Sequence, residues 1–181
     1  MFKDIRKLKK SLAARKKRSF GFSLVETIIV LFIVSTGLLG ILSLIIQNIQ
    51  SQDYNKNNLI AYQLAQEGIE LTRKVRDSNW RDMPRKPFWW NLGPGQYYMD
   101  YLDATPNNYN SNQPDRSLLK QDSQGFYFHD LLSTATSSGF SRVITISMLD
   151  ANSIQVNCRV TWSERNRLAS YDLDTVLYDW R

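Results

Sequence analysis

The sequence predicts an α+β protein: a long N-terminal helix, its first half transmembrane, packed on an antiparallel β-sheet. Two patterns carry that expectation. Residues 22–46 read FSLVETIIVLFIVSTGLLGILSLII, with Glu26 as their single charge, and the last third of the chain alternates apolar and polar residues at the period of strands.

The 181-residue chain has room for one ordinary domain plus attachments. Its formal charge of +6 is unevenly spread. Nine Lys and Arg residues lie between Lys3 and Arg18 against Asp4 alone, so residues 1–21 carry +8 and the rest of the chain carries −2. A mildly acidic body lacks the charge that phosphate neutralisation needs, and no nucleic-acid partner is expected. Cys158 and His129 are the single cysteine and histidine. An intramolecular disulfide is thereby excluded, and so are most zinc sites and hydrolase constellations. Neither an enzyme nor a cofactor or metal site is expected.

A helix of 25 residues rises about 1.5 Å per residue, enough to cross a hydrocarbon core of roughly 30 Å with some tilt. A buried core helix seldom stays apolar for so long. A secretory signal peptide fits less well, because the run exceeds an ordinary h-region and IIQNIQSQ lacks a small-residue cleavage site. Lys and Arg stay on the cytoplasmic side, so the chain from Gln47 onward is expected outside the membrane.

Basic and apolar parts meet at Ser19-Phe20-Gly21-Phe22-Ser23-Leu24-Val25-Glu26. This junction resembles the cleavage and methylation motif of type IV prepilins and of the pseudopilins of type II secretion. The resemblance implies that residues 1–21 are a leader, cut between Gly21 and Phe22 by a membrane-embedded prepilin peptidase that then methylates the new Phe22 amine. It also implies that Glu26, fifth in the mature chain, pairs with the N-terminal amine of a neighbouring subunit and sets its register. The residues alone leave two other roles for Glu26: snorkelling to the headgroups, or pairing with its own Phe22 amine. A carboxylate at mid-membrane costs roughly 2.5–3.5 kcal/mol, less near the edge, so a charge kept there calls for a partner. Gly37 and Gly40 interrupt the span at a spacing that is not GxxxG.

Residues 47–79 continue the helix as its exported, amphipathic half. Ile60, Leu64, Gly68, Leu71 and Val75 fall on one face, and Glu70 and Lys74 form an i,i+4 pair on the other. Asn55, Asn57 and Asn58 make a weaker polar patch. The helix is expected to run to about Asp77, with Ser78, Asn79 and Pro84 ending it. Residues 80–181 form the head. Its first part is loop-rich, with short strands over 96–102 and 125–129 and a flexible loop over 105–117. The aromatics Phe88, Trp89, Trp90, Tyr97, Tyr98 and Tyr101 suit core packing better than a sugar platform. Asp100, Asp103, Asp115, Asp122 and Asp130 lack calcium-loop spacing.

The final third predicts a three-stranded meander. Ile144, Ile146 and Met148 begin it; Ile154, Val156, Cys158, Val160 and Trp162 follow; Tyr171, Leu173, Thr175 and Leu177 close it. Hairpin-length connectors span 150–153 and 164–167, and Cys158 falls on the apolar face as a small buried hydrophobe.

A helix laid on such a sheet matches the pilin fold. Ala65-Gln66-Glu67-Gly68-Ile69-Glu70, Val160-Thr161-Trp162-Ser163-Glu164-Arg165 and the closing Leu177-Tyr178-Asp179-Trp180-Arg181 are similar to minor pilins of the pilus-modification type. The cysteine pair that closes the C-terminal loop of many pilins is missing. The resemblance implies a minor subunit of a type IV pilus or related filament. A type II secretion or competence pseudopilin is the near alternative, and an unprocessed single-pass adhesin or receptor the distant one. The implied partners are the prepilin peptidase/methylase, other pilins in a hetero-oligomeric filament, and an inner-membrane assembly platform. The implied location is the cytoplasmic membrane, single-pass with a cytoplasmic N-terminus, then the pilus or secretion filament.

Overall fold

In the computed structural model of the chain, the described residues are 21, 23–82, 86–87, 89–129 and 136–179. Most of the leader, Phe22, Pro84, Phe88 and Asp130 lie outside them. The chain divides into two compact units, Met1–Ile49 and Gln50–Arg181.

One helix, α1, runs over Leu24–Arg81. Its C-terminal part packs on the sheet of the second unit. Leu64, Leu71 and Val75 are buried as expected, and Ile60 is partly buried. Gly68 is buried as expected too, and Ala61, Ala65 and Thr72, not singled out in the sequence, join it at the centre of the buried face. These small residues let the helix axis approach closely. A Cβ added at Gly68 would stand 2.5 Å from Cys158 Sγ, well inside van der Waals contact. The helix also extends to Arg81, four residues past the expected stop. Ser78 and Asn79 do not end it because both are accommodated: Ser78 Oγ donates to Val75 O at 2.9 Å, and Asn79 Nδ2 donates to Trp90 O at 2.5 Å. Trp80 is buried with the Arg76 guanidinium 4.7 Å from its ring centroid, so the last turn belongs to the core. The expected Glu70–Lys74 pair does not form. Glu70 takes Arg73 at 2.6 Å, and Lys74 Nζ donates to Tyr101 O at 2.9 Å.

Seven strands make one antiparallel sheet. Strand β1 is Gly95–Tyr98, β2 Asn107–Asn108, β3 Leu118–Gln121 and β4 Tyr127–Phe128. The long strands are β5 Thr136–Asp150, β6 Ser153–Glu164 and β7 Arg167–Tyr178. The pairing of the meander is as read from the sequence, with tips at Ala151-Asn152 and Arg165-Asn166, but β5 begins at Thr136, before Ile144, and Met148 at its far end is exposed. Its inward row carries Ile144, Cys158 and Leu173 in register, beside Ile146, Val156 and Thr175. Each fully buried aliphatic on that row contributes about 1.5–3 kcal/mol. Outward, Arg159 Nε meets Asp172 Oδ1 at 2.7 Å across β6 and β7. One edge of β5 serves two short strands in turn, β3 along Thr136–Ser141 and β1 along Ile144–Ile146. β6 takes the opposite edge, and β7 follows it.

The segment before the meander is more ordered than the expected flexible loop. Residues 105–117 hold β2 and a 3₁₀ turn at Pro114–Ser117, with Asn107 Nδ2 donating to Asp103 Oδ2 at 3.0 Å. Strand β3 was not expected. β1 stops at Tyr98 rather than 102, because Asp100 leaves the ladder for a buried polar node. Arg142, fully buried on β5, donates to Leu64 O (3.2 Å), Glu67 Oε2 (2.9 Å) and Met99 O (2.7 Å), with Asp100 Oδ1 at 3.6 Å. His129 Nδ1 lies 2.7 Å from Asp100 Oδ1, and His129 N donates to Asp100 Oδ2 at 2.9 Å. That backbone bond draws His129 away from β4, which ends at Phe128. Burial pushes the Asp100 carboxyl up, but the hydrogen bonds and charge of His129, with the charge of Arg142, prevail and hold it below its ordinary value.

The aromatic segment divides. Tyr97 enters the core, while Trp89, Trp90 and Tyr101 are exposed, against the core packing expected of them. The aspartates act locally: Asp122 Oδ1 accepts from Gln124 N and Phe126 N, closing the turn before β4. Among the described residues, no group of three or more His, Cys, Asp or Glu is placed to hold a metal.

Candidate processing and assembly site

Gly21 is exposed, and a Cβ added there would meet nothing within 4 Å among the described residues. The helix starts two residues after Phe22. Ser23 O accepts from Thr27 N at 3.1 Å, which makes Ser23 the N-cap and Glu26 the third residue of the first turn. Thr27 Oγ1 reaches the same carbonyl at 3.3 Å.

Ser23-Leu24-Val25-Glu26 has the spacing of a capping box, in which the glutamate would fold back onto the N-cap amide. Glu26 does not. Its side chain is exposed and has neither hydrogen bond nor ion pair among the described residues. It lies where the helix dipole favours negative charge, by about 0.3–1 kcal/mol in water. The carboxylate is thus available to a cation approaching from outside the chain. Sequence reading singled out Glu26 but not the capping-box spacing that makes its outward turn informative.

Beyond Glu26 the helix presents apolar side chains on every side. The most apolar 18-residue window has a mean hydropathy of 2.8 and no buried residue. Leu24, Phe32 and Leu39 are each more than 60 % exposed. By length and composition the helix can cross a membrane. Its hydroxyls are compatible with hydrocarbon, since Ser35 Oγ donates to Leu31 O at 2.6 Å and Thr36 Oγ1 to Phe32 O at 3.0 Å. An apolar surface of this extent needs lipid or neighbouring helices to cover it. Gly37 and Gly40 have nothing within 4 Å of an added Cβ among the described residues.

Two buried groups of the head are held in its packing. Cys158 is a neutral thiol, pushed up to about 12 chiefly by burial. His129 is held by Asp100 in the node described above. The motif and the α+β fold point to a structural subunit rather than an enzyme.

No curated protein and no solved structure matches the chain. Residues 16–42 match the family model described as the prokaryotic N-terminal methylation motif. That match covers the leader junction, Gly21, Phe22, Glu26 and most of the apolar run. It implies processing by a prepilin peptidase and assembly with other pilins. The chain therefore carries the N-terminal signature of type IV pilins and pseudopilins, on one long apolar helix whose C-terminal part packs on an antiparallel sheet.

Proposed function

We propose that this chain is a structural, minor subunit of a type IV pilus or related filament. Prepilin peptidase cuts between Gly21 and Phe22, and the exposed, unencumbered glycine backbone suits such a cut. Methylation of the Phe22 amine follows. The basic leader holds the N-terminus in the cytoplasm, residues 22–46 span the cytoplasmic membrane, and the head lies outside. An inner-membrane assembly platform then moves the subunit into a filament with other pilins.

The observation that carries this reading is Glu26: an exposed carboxylate with no partner among the described residues, the single charge of residues 22–46, inside the methylation motif. A neighbour's N-terminal amine supplies the cation it lacks. In a low-dielectric helix bundle that pairing fixes axial register, because a misaligned subunit leaves a charge unpaired at several kcal/mol. The same requirement discriminates against unprocessed chains, whose amine is 21 residues away.

Intact-mass analysis of chain recovered from membranes or sheared filaments tests the processing step. The expected species starts at Phe22 and carries one added methyl group. A chain that still begins at Met1 in cells with active prepilin peptidase sinks the proposal.

A further inference from the structure

Two aromatics of the head, Tyr101 and Phe126, are 52 % and 58 % exposed, and both line a cleft of about 590 Å³. Small-molecule sites span roughly 300–1,000 Å³. The turn between β3 and β4 supplies Asp122, Gln124, Gly125 and Tyr127 beside Phe126, and α1 supplies Gln63 and Glu67 with the apolar Ile60 and Leu64. Turning the chain does not require a phenylalanine at position 126. Asp122 Oδ1 already closes the turn by accepting from Gln124 N and Phe126 N, and Gly125 provides the positive φ of 93°.

The lining is held in place by groups behind it. Arg142, fully buried, donates from Nη1 to Glu67 Oε2 at 2.9 Å. Lys74 Nζ donates to Tyr101 O at 2.9 Å, and Tyr127 sets its ring edge-on to Phe140 at 6.3 Å between centroids. What stays free is hydrogen-bonding capacity. Glu67 Oε1, the side-chain amides of Gln63 and Gln124, and the hydroxyls of Tyr101 and Tyr127 have no hydrogen bond among the described residues. Fixed walls of this kind lower the ordering cost of binding.

Aromatic faces beside free amides and a carboxylate oxygen match a pyranose ring. Its C–H face lies on an aromatic ring, and its rim of hydroxyls both donates and accepts. A cation suits the cleft less well. The charge of Glu67 is already answered by Arg142, and Asp122 Oδ1 by two backbone amides. We infer that this cleft binds an uncharged saccharide, its ring stacked on Tyr101 and Phe126 and its hydroxyls bonded to Glu67, Gln63 and Gln124. All of these residues belong to the head, so the site stands whether or not the chain is processed and assembled.

The test uses the full chain in phosphatidylcholine nanodiscs, which carry no sugar headgroup. It is applied to an array of uncharged hexose and N-acetylhexosamine oligosaccharides, with glucosamine oligomers beside them, and the best-retained glycan is then titrated. Phe126→Ala and Gln63→Ala, both at exposed positions, are each expected to weaken binding about tenfold with Tm unchanged. Phe126→Tyr keeps the ring face and keeps the affinity. So does Trp89→Ala, which removes an exposed aromatic outside the cleft. Failure of the parent chain to retain any uncharged glycan overturns the site. Parental affinity in either cleft variant does so too, as does an equal loss in Trp89→Ala. Retention confined to the glucosamine oligomers and abolished by high salt would make the cleft an amine site and overturn the saccharide.

Discussion

Gly68 and Cys158 face each other where α1 meets the centre of the sheet, and the contact is close enough for one methyl group to matter. Gly68→Ala adds a Cβ 2.5 Å from Cys158 Sγ. Relieving that clash costs about 1–3 kcal/mol, offset by the roughly 1 kcal/mol that alanine gains over glycine inside a helix. The expected result is a net loss of up to about 2 kcal/mol in denaturant unfolding. Removing the sulfur provides the missing space, so Cys158→Ala in the same chain restores part of the loss. A double-mutant cycle with no coupling between the two sites contradicts this account. Asp100 makes a second prediction, on pH. Its folded carboxyl lies below the ordinary 3.8, so its contribution to stability is complete above that value and disappears as pH falls through the folded value. The urea midpoint should therefore decline below about pH 4, and Asp100→Asn should flatten that acid limb while lowering stability at neutral pH. An identical acid limb in the variant would place the effect on other carboxylates.

Among the elements, the β6–β7 hairpin has the turn whose residues can be improved most directly. Both tip residues, Arg165 and Asn166, have positive φ, the pattern of a type I′ turn whose preferred sequence is Asn-Gly. Arg165→Asn with Asn166→Gly is expected to stabilise the head by about 1 kcal/mol, a rise of a few degrees in Tm. An unchanged or lower Tm would mean that the arginine contributes contacts outweighing its strain. Both hairpins were legible in the sequence, because a strand's period of two and a short polar connector are local signals. The pairing of β1 and β3 along β5 was not, because short strands take their partners from distant residues. β5 itself was read as starting near Ile144, since Arg142 interrupts the apolar pattern. Yet Arg142 is in phase with Ile144 and Ile146, and points inward with them. A buried arginine is tolerated there only because Glu67, Asp100 and two backbone carbonyls converge on it from elements far apart in the chain. Likewise the face of α1 was legible in Ile60, Leu64, Gly68, Leu71 and Val75, whereas Ala61 and Ala65, which with Gly68 set how close it comes to the sheet, give no large apolar signal.

For the whole molecule, the candidate site was legible because its residues are adjacent in sequence, and the structure adds that the Glu26 carboxylate is left exposed. The two units divide the work: the core of the head is drawn from Ala61 onward, while the surface of the apolar helix is left for lipid or for other helices. That division predicts what removing the charge does. Glu26 has no hydrogen bond or ion pair among the described residues, so Glu26→Leu should leave Tm of the head unchanged, and cleavage before Phe22 should still be seen by intact mass. In the membrane the variant is more comfortable than the parent, because a carboxylate costs up to roughly 2.5–3.5 kcal/mol in hydrocarbon and leucine costs nothing. On the proposed assembly role, in a filament it loses the partner for the neighbour's amine. Both changes favour the bilayer over the filament. Since 1.4 kcal/mol is a factor of ten, a swing of even half the membrane cost reduces incorporation about tenfold. Quantifying the subunit in sheared filaments against its membrane pool measures this directly. Undiminished incorporation of Glu26→Leu would show that register is set elsewhere along the helix, and the assembly role of Glu26 would have to be abandoned even if Phe22 is cut and methylated as proposed.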